Sequence, residues 1–402
     1  MKIKNIVIIN DFAYTQGGAT KISIETANVL AENPNYNVYF FTGDDSKNEL
    51  SEKVKVISTK QGESLKERNK IKGIINNLYN FKAKRILNTL LKNLDSNETI
   101  IHVHGWTKCL SSSIFSILFK KKYKVILTLH DYFTSCPNGG FYNYKENKIC
   151  EKIPMSKDCK KCDCDSRNKY FKKFRVMRQF IQNDVIKLTQ KIKYVITISE
   201  LSENISRKFL NKDVKAFRIY NPIDLNPIKE RNILTEKSKY LFIGRLEKEK
   251  GIEEFCKSVT ELNLESIVIG DGKEKEMLSN KYKNINFVGW KSRDEIIKYL
   301  GEAKALIFSS QWYETAGLTI LEALSQGVCC FVKDTCAGRE FIKEGKNGFL
   351  YKDYEDLIKK ISENKNMESI EMIDFNKYSN EEYLLKIENA YSYMIGDVKN
   401  EI

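Results

Sequence analysis

Two glutamates eight positions apart, Glu314 and Glu322, stand in the segment QWYETAGLTILEALSQGVCC. The first falls in a loop after the apolar run ALIFSS, and the second falls in a helix closed by Gly327. Gly317, Leu318 and Thr319 mark the start of that helix, where unpaired amides and the helix dipole can hold a phosphate. Carboxylates on either side of such a phosphate suit ligand hydroxyl groups. In isolation the same pair would serve equally well to complement the helix dipole.

Upstream, GRLEKEKG puts Arg245 at a strand end and Lys250 before a glycine-started helix. Two cations in one turn suit a diphosphate, Arg as a fork of donors and Lys as a point charge. A glycine turn from Gly270 to Gly272 follows the next strand, but a lone G-x-G carries little weight. His102 and His104 alternate along a strand and so share a face, where they could hold a metal if a third ligand existed; none is evident. His102 is expected to pack and His104 to line a cleft. Asp163 and Asp165 form a D-x-D, a metal-binding pattern, but it is short and lies in a Cys/Lys-rich loop rather than after an apolar strand.

That loop carries Cys136, Cys150, Cys159, Cys162 and Cys164. The Cys159-x-x-Cys162 pair with two further thiols would close a structural zinc site of four thiolates. Five candidates compete for four places, and the alternative is a set of reduced thiols. Cys256, Cys329, Cys330 and Cys336 lie in apolar or helical contexts, which argues against a secreted disulfide framework.

The elements that must position these residues form two cycles. KNIVIIN, VYFFTG, KVKVIS, ETIIHVHG, YKVILTLHD and KYVITIS read as strands, with a glycine-led helix after the first and a long helical stretch over about residues 64–94. After RIYNPIDLNPIKERN, a linker, come KYLFIGRL, SIVIGDG, INFVGW, ALIFSS and CCFV with helices between them, and an amphipathic helix from about Ser379. Alternating strands and helices imply parallel sheets covered on both faces. The expected fold is therefore α/β, two doubly wound Rossmann-like domains facing a central cleft. The expected boundaries are 1–217, with the Cys-rich loop at 132–168; a linker at 218–234; a second domain at 235–375; and a terminal helix at 376–402 packing back on the first domain. A chain of 402 residues is long enough for two such cores.

Together these segments resemble the retaining GT-B glycosyltransferases of glycosyltransferase family 4: GGAT, TLHD, ITIS, YNPID, GRL with KG, IGDG, FVGW, the glutamates eight apart and NGFL, in that order. The resemblance spans nearly the whole chain. Ala316 departs from it, since the family often has Phe or Cys there, and this loosens any inference about the donor sugar. The resemblance implies that Arg245 and Lys250 hold the donor diphosphate with amides around Leu318 and Thr319. Glu314 would contact the transferred sugar, Glu322 the ribose, and His130 the reaction centre. Gly17 and Gly18 would form a loop near the phosphate, and Trp290 would lie near the base. No catalytic metal is expected, because cationic side chains take its place. Similar cysteines occur in many family members.

The donor is expected to be a UDP-sugar, with a GDP-sugar as the alternative, and the acceptor a glycan or polyprenyl-linked glycan in surface polysaccharide assembly. A net charge of +14 fits peripheral contact with an anionic membrane. A cytoplasmic location is expected, since the apolar run at the N-terminus is too short for a signal peptide and nothing reaches membrane-spanning length. Another GT-B enzyme, an epimerase or a phosphorylase, is the nearest rival; a phosphorylase would need a pyridoxal phosphate lysine and usually a longer chain. A nucleic-acid-binding protein would account for the charge but not for carboxylates and a diphosphate-type Arg/Lys pair at strand ends, so no nucleic-acid partner is expected.

Overall fold

The computed structural model describes residues 2–225, 227, 238–365 and 370–396. Of the expected linker, residues 226 and 228–234 lie outside the described residues, as do 235–237 and 366–369 of the second domain and 397–402 of the terminal helix.

Among the described residues the strands are β1 (Asn5–Phe12), β2 (Asn37–Asp44), β3 (Lys55–Ser58), β4 (Thr99–Val103), β5 (Lys124–Leu129), a short antiparallel hairpin of β6 (Tyr142–Asn143) and β7 (Lys148–Ile149), β8 (Tyr194–Thr197), β9 (Lys215–Arg218), β10 (Lys239–Ile243), β11 (Ser266–Ile269), β12 (Asn286–Gly289), β13 (Ala303–Phe308), β14 (Cys329–Lys333) and β15 (Gly348–Tyr351). They form a seven-stranded parallel sheet in the order β3-β2-β1-β4-β5-β8-β9 and a six-stranded parallel sheet in the order β12-β11-β10-β13-β14-β15. The order reverses beside β1 and again beside β10, and each reversal opens a crevice at the carboxyl ends of the strands.

Both faces of each sheet are covered, which is why the strands are continuous apolar runs. Along β1, Val7 and Ile9 enter one core with Ile101, Phe115 and Leu127, while Ile6 and Ile8 enter another with Phe40, Ile100 and Phe217. The second core also contains Tyr383, Ile387 and Tyr391 from the helix Asn380–Ile395, so the end of the chain helps to close the first sheet. The second sheet has its own pair of cores around Phe242, Phe255 and Tyr351 on one side and Leu241, Leu306 and Leu324 on the other.

The helical stretch expected over 64–94 is not one helix. It is a short 3-10 turn followed by helices Lys70–Leu78 and Phe81–Leu91. Asn69 and Asn80 break it, each bending into an extended conformation and accepting an amide hydrogen bond from Lys72 and Ala83. Composition alone conceals such a break, since Lys and Asn run through both pieces.

Candidate active site

The turn after β10 carries Arg245 and Lys250 and ends at Gly251, which is left-handed at φ 71°. A Cβ there would lie 1.8 Å from the Ser309 carbonyl oxygen, so only glycine lets this turn abut the end of β13. The contact is locked by Ser309 Oγ donating to the Gly251 carbonyl at 2.8 Å and by the Gln311 amide donating to the Glu249 carbonyl at 2.8 Å. It brings Lys250 against Glu314.

Lys250 Nζ and Glu314 form a close ion pair. The same carboxylate oxygen accepts from Trp312 Nε1 at 2.9 Å and Ser310 Oγ at 3.1 Å, and Lys250 lies 5.1 Å from the centre of the Trp312 ring. Burial pushes the Glu314 carboxyl up, but the Lys250 charge and the three donors outweigh it and hold the group below its ordinary value. Glu314 is thus ionised, and its partner is a cation in a largely enclosed site. Arg245 is 62% exposed and pairs with Glu249 at 3.5 Å.

Next to the pair, Gly317 at φ 89° starts the helix Leu318–Ser325, which has no side-chain cap at its N-terminus. These groups line a cavity of about 450 Å³ together with Gly18, Ala19 and His130 from the first half of the chain. A Cβ at Gly17 or Gly18 would meet nothing within 4 Å, so this loop leaves open space on its side of the cleft. His130 follows β5 directly. Its carbonyl accepts from Thr315 Oγ1 at 2.8 Å, which ties the two halves at the cavity, and its Nε2 lies 2.9 Å from His104 Nδ1. Burial lowers His130 to about 4, so a neutral imidazole faces the cleft at pH 7. Glu322 stands 3.8 Å from Arg293 Nε and is raised by burial, with Arg293 and Lys21 opposing the rise.

Not every residue singled out in the sequence meets in this cavity. Gly270 supports it from behind: a Cβ there would lie 1.9 Å from the Gly244 carbonyl oxygen, and Gly244 lines the cavity. Trp290 is 74% exposed, and none of Trp290, Glu322, Gly17 and His104 is among the lining residues; His104, expected to line a cleft, is buried behind His130. Conversely, Trp312, Ser310, Thr315 and Asn221 belong to the site but were not singled out. Trp312 carried a usable signal, being an aromatic two positions before Glu314.

The cysteine loop departs from expectation. Cys136, Cys150, Cys159, Cys162 and Cys164 do surround one small cavity, but Lys172 enters it, with Nζ 3.1 Å from the Cys164 sulfur and 3.7 Å from that of Cys159. Among the described residues no group of three or more His, Cys, Asp or Glu side chains is arranged to hold a metal. The expected zinc site therefore finds no ligand set, and the cation facing these sulfurs is an ammonium group. The D-x-D is likewise divided, with Asp165 buried against Arg175 Nε at 2.9 Å and Asp163 exposed. His102 is held between Tyr391 Oη at 2.7 Å and Thr128 Oγ1 at 2.6 Å, which leaves it no ligand role.

Residues 226–381, which hold Arg245, Lys250, Glu314 and Glu322, match the family model of glycosyl transferases group 1. An uncharacterized 41.2 kDa protein from the cps region of Klebsiella pneumoniae is 24% identical over 277 residues, 67% of this chain and 70% of the relative. Among solved structures, the apo form of the lipopolysaccharide outer core galactosyltransferase WaaB superposes with a TM-score of 0.60 at 16% identity, over 97% of this chain and 99% of that one. Anabaena Alr3699/HepE in complex with UDP gives 0.60 at 13% identity, over 97% and 100%. The chain is a glycosyltransferase of GT-B fold. In this glycosyltransferase the cavity lies where the fold places a ligand, at the carboxyl ends of two facing parallel sheets.

Proposed function

We propose that this enzyme is a retaining transferase of family 4 that moves a glycosyl unit from a UDP-sugar to a lipid-linked glycan during surface polysaccharide assembly. The observation that carries the reading is the Lys250–Glu314 pair beside an uncapped helix start in the cavity between the sheets. The similarity to a cps-region protein, to WaaB and to a UDP-bound neighbour supports the polysaccharide context and the nucleotide.

Breaking the anomeric bond places negative charge on the departing diphosphate. Lys250, Arg245 and the amides at Leu318 and Thr319 stabilise that charge as it develops. Lys250 then exchanges part of its pairing with Glu314 for the phosphate, which frees the carboxylate to accept from sugar hydroxyls. Glu322, outside the cavity lining, takes the ribose on the family resemblance alone, and neutral His130 bonds the sugar without adding a competing charge. A phosphate oxygen of the leaving group, in place of a side-chain base, takes the acceptor proton on the same face, and configuration is retained.

The test is a screen of nucleotide sugars for slow hydrolysis without acceptor, repeated in EDTA. UDP release that is indifferent to EDTA is the expected outcome. Complete loss in EDTA, restored by manganese, would overturn the metal-free reading.

A further inference from the structure

The helix Lys169–Phe180 is built inside out. Its buried side is polar: Lys172 reaches the Cys164 sulfur, Arg175 donates to the Asn138 carbonyl at 3.2 Å, and Gln179 donates to the Thr134 carbonyl at 2.9 Å. Its outer side is apolar, with Tyr170 69% and Phe180 50% exposed and Met177 between them. A water-facing helix shows the opposite pattern. The neighbouring helix Lys70–Leu78 repeats the feature, with Ile71 72% exposed and Ile74 and Ile75 also exposed. Between the two helices lies a groove of about 420 Å³ lined by Leu65, Ile74, Phe171 and Phe174 and edged by Lys66 and Lys70.

From these observations we infer that this face docks on an anionic membrane surface. Neither helix contains an acidic residue; Glu63 and Glu67, just before Lys70–Leu78, pair with Lys66 and Lys72 at 2.9 Å, while Lys70, Lys169 and Lys173 flank the apolar side chains. That combination suits a headgroup layer, where the aromatics enter the acyl boundary and the lysines meet lipid phosphates. A second copy of the chain fits poorly, since it would oppose two lysine-rich faces on molecules of net charge +14. The face also lies beside the cleft. The helix Lys169–Phe180 rests on the loop that directly follows His130, and the Ser64 amide bonds the Lys108 carbonyl at 2.9 Å, past the end of β4. Docking here would present the acceptor side of the cavity to the lipid surface. This last point rests on the proposed lipid-linked acceptor; the docking itself does not.

The experiment mixes the purified full chain with vesicles of phosphatidylcholine alone or with phosphatidylglycerol, at low and high salt, and measures the pelleted fraction. Binding is expected with phosphatidylglycerol, weaker in high salt. The triple variant Tyr170→Ser, Met177→Ser, Phe180→Ser should lower partitioning at least about tenfold. Lys70→Glu with Lys169→Glu should lower it about fivefold per lysine. Absent binding at low salt, equal binding to both vesicles, or a triple variant that binds like wild type would overturn the inference. So would a concentration-dependent dimer that the triple variant abolishes, because it would assign the face to a second copy. Nucleotide-sugar hydrolysis by the same preparations separates the two proposals and shows that the variants fold. Hydrolysis without vesicle binding removes docking alone, and vesicle binding without hydrolysis counts against the transfer reading alone.

Discussion

Lys250 and Glu314 exist as a unit, joined across 64 positions of the chain. The carboxylate is ionised because Lys250, Trp312 and Ser310 converge on it; the cation tolerates a sheltered site because that carboxylate is there. Lys250→Ala and Arg245→Ala should each lower turnover by roughly a hundredfold, the effect of removing about 3 kcal/mol of leaving-group stabilisation. Steady-state rates on the purified variants check this, with circular dichroism showing an intact fold. His102 gives a second prediction at this scale. Burial, with His130 nearby, lowers it to about 3 from the ordinary 6.5. The unfolded chain therefore binds a proton that the folded protein refuses, and stability present above pH 6.5 is lost as pH falls toward 3. The loss from this ring at pH 5 is about 2 kcal/mol. Asp131, raised to about 6 by burial, works in the opposite direction. Urea denaturation of wild type and His102→Gln at pH 7 and pH 5 isolates the ring, and the variant should lose less stability between the two.

At the scale of elements, glycine conformation decides whether the donor-side turn can be built at all. Gly251→Ala meets both a left-handed φ of 71° and the Ser309 carbonyl oxygen at 1.8 Å. It should cost at least about 2 kcal/mol in denaturant unfolding and also weaken donor binding, because Lys250 moves with the turn. Gly18→Ala is the control. With nothing within 4 Å of its Cβ and an ordinary φ, it should change stability by less than about 0.5 kcal/mol, yet it adds a methyl group to the cavity wall and should raise the donor KM. Denaturant unfolding reads the two variants apart, and calorimetric titration with the nucleotide should show weaker binding in both.

Across the whole molecule, the two halves are joined at the cavity and again away from it. Glu340, in the second half, accepts from the Glu200 and Leu201 amides at 3.0 and 2.9 Å, at the start of helix Glu200–Arg207, and from Tyr220 Oη at 3.3 Å. The helix Asn380–Ile395 then returns to the first half. Tyr391 Oη meets His102, and Tyr383 Oη meets Thr26 Oγ1 at 2.8 Å. A chain ending at Tyr378 should therefore destabilise the first sheet more than the second, although the removed residues follow the second in sequence. Hydrogen exchange should show protection lost first in β1 and β4.

The fold class was legible in the chain because both faces of each sheet are buried. Burial demands unbroken runs such as NIVIIN and KVILTL, and their alternation with helical segments implies parallel sheets. The placement of Arg245 and Lys250 beside the cavity, in a turn closed by Gly251, was legible for a similar reason: glycines and cations at strand ends report a local backbone geometry. What the chain concealed depends on partners far apart in sequence. Lys250 finds Glu314 across 64 positions, and His102 finds Tyr391 across 289. Lys172 is close in sequence to its partners, 8 and 13 positions from Cys164 and Cys159, yet it was concealed too, because it stands among the thiols only when the helix Lys169–Phe180 turns its polar side inward. Periodicity records which residues share a face, but not which way that face points. Only the packing of that helix against the loop after His130 decided it, and with it that the Lys172 ammonium group stands among the five cysteines.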